Sequence, residues 1–173
     1  MNAENEVLRQ EHSTNTALQI TISVSGNKNN NKVESAMAMN RKELNELMQD
    51  SAKNAVDTTR EEFGIHLDHT AESIKFVDTV ILKWIERYKD RVLEDKAVFT
   101  LCNIYGAYVG EVFRNVVGGE WTYDESNPDA PYVLLEYGTR SYAFAGVCYQ
   151  RLVHDSQVSI EYYFSKAISN NTQ

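Results

Sequence analysis

The residues able to do chemistry are sparse, and their spacing is the first test of each. His66-Leu67-Asp68-His69 has the composition of a metal site. A closed tetrahedral site needs four convergent ligands, and no second set is spaced to complete this one. The cluster is expected to be an exposed loop at a helix entry. His154-Asp155-Ser156 has the composition of a hydrolase triad, but adjacent residues do not point at one another. No Gly-x-Ser-x-Gly turn exists to lift a serine. Cys102 and Cys148 sit among apolar neighbours. A nucleophilic thiol needs a nearby cation, and the one hint is Arg151, three residues after Cys148. Both cysteines are expected to be core residues. Gly106 and Gly110 lie inside the most apolar segment, where a phosphate loop, which opens a helix, has no place. They predict a notch where another helix or the sheet crosses. Glu111 is expected to pair with Arg114, and no second carboxylate is spaced to make an acid–base couple with it. No catalytic residue, metal ligand or cofactor site is therefore expected.

One stretch has the chemistry of recognition instead. Residues 120–137 hold Glu120, Asp124, Glu125, Asp129 and Glu136, no Lys or Arg, and four large aromatics: Trp121, Tyr123, Tyr132 and Tyr137. Aromatic anchors with steering carboxylates suit a basic protein partner. The competing expectation is a solvated turn whose aromatics face the core. The residues expected to bind a partner are Glu120, Trp121, Tyr123, Asp124, Glu125, Asp129 and Glu136.

Charge narrows the partner. Seventeen Lys and Arg against 25 Asp and Glu give a net charge of −8. A nucleic-acid or anionic-membrane binder needs a basic face, so neither is expected. The uncharged stretch from Ala97 to Gly110 is 14 residues long and contains Asn, Thr and two Gly, too short and too polar to span a bilayer. No basic-then-apolar leader opens the chain, and two cysteines fit a reducing compartment, so a cytoplasmic location is expected.

The elements that must position these residues follow from periodicity. Residues 1–40 are an N-terminal extension. Within it Leu18, Ile20, Ile22 and Val24 alternate with polar residues as an edge strand over 17–25 would, ahead of a polar linker over 26–34. From Arg41 the apolar spacing turns helical through Leu44, Leu47, Met48, Ala52, Ala55, Val56, Thr59 and Phe63, with Gly64 placed for a left-handed cap. A second helix is expected from an N-cap at Thr70, with Ile74, Val77, Ile81, Trp84, Ile85 and Tyr88 as its stripe. The third, from Val98 to Val117, is apolar nearly all round, as a covered central helix would be, and Gly118-Gly119 ends it. Strands are expected at 121–123 and 132–137, joined through both prolines, Pro128 and Pro131. Gly138–Ser141 reads as a turn. Two short helices, 144–153 and 158–168, close the chain, with Asp155 or Ser156 as cap.

The motif Asn103-Ile104-Tyr105-Gly106-Ala107-Tyr108-Val109-Gly110-Glu111, followed by Gly118-Gly119-Glu120-Trp121, resembles a bacterial domain family of unknown function. That family carries a Tyr-Gly-x-Tyr-x-Gly-Glu helix and then Gly-Gly-x-Trp leading into a strand. Phe63-Gly64-Ile65, Leu67-Asp68, Thr70 and Ser73-Ile74 resemble its helix-entry pattern, and the likeness spans about residues 45–168. At Phe144-Ala145-Gly146-Val147 the chain departs from the family's Pro-Phe-x-x-Val. The resemblance implies a fold but no chemistry.

The expectation is an α+β domain over 41–173, with N-terminal helices packed on a small antiparallel sheet and closed by C-terminal helices. The expected function is non-enzymatic binding, as an immunity protein or antitoxin that neutralises a basic toxin domain. The alternative is an enzyme or small-ligand-binding domain with a site assembled from dispersed residues.

Overall fold

The computed structural model describes residues 40–126 and 132–171. The expected edge strand at 17–25, the linker at 26–34 and Asp129 lie outside the described residues. Helix α1 spans Arg41–Phe63 and opens on a capping box in which the Asn40 side chain accepts from Glu43 N and Glu43 answers to Asn40 N. It ends as its glycine predicts: Gly64 adopts φ 65° and its N–H bonds to Arg60 O at 2.9 Å. A 3₁₀ turn at Ala71–Ser73 leads into α2, Ile74–Tyr88. Thr70 precedes that turn, but its hydroxyl does not cap it; the hydroxyl donates instead to Asp68.

Helix α3, Asp95–Val116, is the covered helix that its composition predicts. Its buried residues run without a break from Ile104 to Gly110, and Val112 and Phe113 follow. No polar stripe survives because neighbours lie on every side: α1, the α2 entry, α4 and α5 all pack on it. Gly118 and Gly119, at φ 107° and 117°, then reverse the chain. Few residues other than glycine adopt such angles.

Strands β1 (Glu120–Asp124), β2 (Tyr132–Tyr137) and β3 (Arg140–Tyr142) form an antiparallel sheet in that order. Strand β3 was expected to be turn. Only Gly138 and Thr139 turn, and three residues are too few to display an alternation. Helix α4 covers Phe144–Tyr149 and relaxes into a π-helical turn, Gln150–His154, closed by Asp155 N on Gln150 O at 2.8 Å. Helix α5 spans Ile160–Ser169. Its cap is Ser159, not Asp155 or Ser156, because the chain stays extended at Asp155 and again at Ser159.

The glycine notch is where the two halves meet. A Cβ on Gly106 would lie 2.5 Å from Ala145 Cα, and one on Gly110 would overlap the Trp121 indole. Glycine inside a helix costs about 1 kcal/mol against alanine. Here it admits the α4 backbone at one turn and the β1 indole at the next. Among the described residues, no helix is long and apolar enough to cross a membrane.

Candidate functional site

The pleat cuts the acidic-aromatic stretch into two surfaces. In β1 against β2, Trp121 faces Leu135 and Tyr123 faces Val133, while Glu120 faces Glu136, Thr122 faces Leu134 and Asp124 faces Tyr132. Residues directly opposite share a face. The first set packs inward: Trp121 is 3% exposed, Leu135 is fully buried, and Tyr123 and Val133 lie against the same core. The second set is the outer face.

Trp121 is thus a correction to the sequence reading. Its indole lies in the Gly110 notch, and its Nε1–H donates to Glu111 Oε1 at 2.6 Å. Arg114 donates to the same oxygen at 2.8 Å and to Gly119 O at 3.2 Å, which gives Glu111 the partner its spacing predicts. That carboxylate anchors the strand to α3. An indole held on both its apolar and polar sides is not an anchor for a partner. Tyr123 shares its face and lies half-buried against the core.

What remains outside is acidic. Glu120, Glu125 and Glu136 are exposed and Asp124 is half-buried. Asp124 accepts from Ser126 N at 2.8 Å, and the Ser126 and Tyr132 hydroxyls add to this, holding its pKa below the carboxylate value of 3.8. Tyr132 shifts the other way, first through desolvation and then through Asp124 beside it. Tyr132, Leu134 and Thr122, all half-buried, form the less polar middle of this face, and the Thr122 hydroxyl oxygen is shut off from solvent. Glu120 and Glu136 sit directly opposite, a like-charge pairing that weakens a ladder. The cation near them is Arg41, 3.8 Å from Glu120 with both side chains more than half exposed, a geometry worth little in water.

The other candidate residues do not assemble a reaction centre. His66, Asp68 and His69 are exposed, and Asp68 spends its carboxylate on Thr70, whose hydroxyl and N–H hold its pKa low. His69 has φ 61°, and its N–H bonds to the Tyr108 hydroxyl at 3.0 Å. Among the described residues, no group of three or more His, Cys, Asp and Glu could hold a metal. His154 is exposed and stacks edge-on against Tyr149. Cys102 and Cys148 are fully buried, and burial pushes the Cys102 thiol up to about 12 and Cys148 well above its ordinary value. Thiols so placed are packing groups, not nucleophiles.

Sequence reasoning missed the polar fastenings inside the helical layer. The Tyr105 hydroxyl meets Thr59 at 3.0 Å and accepts from Trp84 Nε1 at 3.1 Å, while the Tyr108 hydroxyl meets Ser73 at 2.5 Å. Arg151, 6% exposed, pairs with Asp78 at 3.2 Å. Its only sequence signal was a charge between the apolar residues of an otherwise inward-facing segment. No protein-family model, curated protein or solved structure matches this chain, so the likeness at 103–121 rests on its motif alone.

Proposed function

We propose that the protein is a non-enzymatic, cytoplasmic binding protein of the immunity or antitoxin kind, which neutralises a basic toxin domain by covering it. The contact surface is the outer face of β1–β2: Glu120, Asp124, Tyr132, Leu134 and Glu136, with Glu125 at its margin. The observation that carries this reading is the Glu120–Glu136 pair. Two carboxylates directly across a ladder cost stability, and a cation brought by a partner would turn that repulsion into attraction. The less polar middle with a charged rim has the layout of a protein interface. A toxin acting on nucleic acid or nucleotides carries basic residues at its own site, which such a face would meet.

The test is a matched capture from the native host. Wild-type protein and a Glu120→Lys/Glu136→Lys variant are immobilised, and retained proteins are identified by mass spectrometry. The expected result is a basic protein held by the wild type and lost by the folded variant, with its toxicity on expression relieved by the wild type alone. Equal retention by both would remove the outer face from the account.

A further inference from the structure

We infer that α5 is a separately opening flap over the aromatic core, held at its N-terminal end by one carboxylate, Asp78 of α2, and at its C-terminal end by Arg140 on Asn170 O and by Asn171 on the Tyr142 hydroxyl. The helix has ten residues, too few to persist without support. Its inward contribution is Ile160, Phe164 and Ala167, with Tyr163 and Ile168 partly buried against the same core. It follows the π-helical turn and an irregular link, so no continuous helix carries it into place. Its N-terminus is capped from 81–83 residues away: Asp78 accepts from Ile160 N at 2.8 Å, and from Ser159 Oγ and Glu161 N at 3.0 Å. The same carboxylate is the counter-charge of Arg151, whose guanidinium also donates to the carbonyls of Asp78, Ser156 and Val158. One group therefore satisfies the helix start, fixes the link before it and neutralises a buried cation.

Helices α1–α3 have further fastenings of their own, apart from Asp78. They are joined through Thr59, Tyr105 and Trp84 and through Ser73 and Tyr108, none of which touches α5 in these bonds. Opening α5 would withdraw Phe164 from Phe113 (6.4 Å between ring centres) and Tyr163 from Phe144 (5.9 Å), uncovering aromatic surface that α3 and α4 retain. Local opening of this kind separates in native-state hydrogen exchange from global unfolding.

The experiment is hydrogen exchange with mass spectrometry on the full chain and its Asp78→Asn variant under native conditions. Amides of 156–169 should exchange at least tenfold faster in the variant, while those of 52–63 and 101–113 keep wild-type rates. Unchanged exchange in 156–169, or acceleration spread equally over all three segments, would overturn the flap. If Asp78→Asn does not fold, Ser159→Ala carries the test: faster exchange confined to 156–169 supports the flap, and a uniform change refutes it.

Discussion

The two faces of one hairpin behave as different materials. On the inner face, Trp121 is locked into the α3 notch by shape and by the Glu111 hydrogen bond, and Leu135 opposite it is fully buried. On the outer face, one residue away along the same strands, Glu120 and Glu136 oppose each other without relief from the sheet. The inner face is packed and hydrogen-bonded, while the outer face carries a like-charge pairing and a buried Thr122 hydroxyl without a partner. On the proposed reading, frustration on an exposed surface beside a well-packed core puts the binding role in the carboxylates and leaves the indole to the fold.

The comparison is broken most severely by deleting the inner face. Trp121→Ala empties the notch and orphans one hydrogen bond of Glu111, so a loss of about 3–5 kcal/mol is expected in chemical denaturation. A small loss would mean that the indole is not core. Gly106→Leu should cost at least about 1–3 kcal/mol, because the atom it meets is Ala145 backbone rather than a side chain that can swing away. Tyr105→Phe leaves Thr59 and Trp84 Nε1 without their shared partner in a buried site, at about 1–3 kcal/mol. The outer face should respond in the opposite direction. Glu136→Lys converts repulsion into attraction and should raise stability by about 0.2–1 kcal/mol, read as a shift in denaturation midpoint at unchanged slope.

Acid gives the gentlest probe. The folded pKa of Asp124 lies below its ordinary 3.8, through Ser126 and Tyr132, so below that value the unfolded chain binds the proton more readily. Its contribution is present above pH 3.8 and is lost as pH falls through the still lower folded value. Asp124→Asn should flatten the stability profile only in that acid window.

Much of the architecture was legible because it is written in periodicity and glycine. The α1 stripe, the Gly64 cap, the all-round apolar α3 and the Gly118-Gly119 stop each follow from local residues. The site was legible only as a composition. Read as a continuous stretch, 120–137 mixed two faces, although the alternation of Trp121 and Tyr123 with Glu120, Thr122 and Asp124 already separated them. The Asp78–Arg151 fastening joins residues 73 apart, and no local pattern announces a cap supplied from another helix. Strand β3 was hidden by its length.

The measurement closest to the central claim is the association rate of the captured basic partner at several salt concentrations, for the wild type and for Glu120→Lys/Glu136→Lys. Charge that steers encounter raises this rate and is screened by salt. The account predicts slower association and a flatter salt dependence for the variant, with its thermal midpoint no lower than that of the wild type. Unchanged association rates at low salt in a folded variant would contradict it.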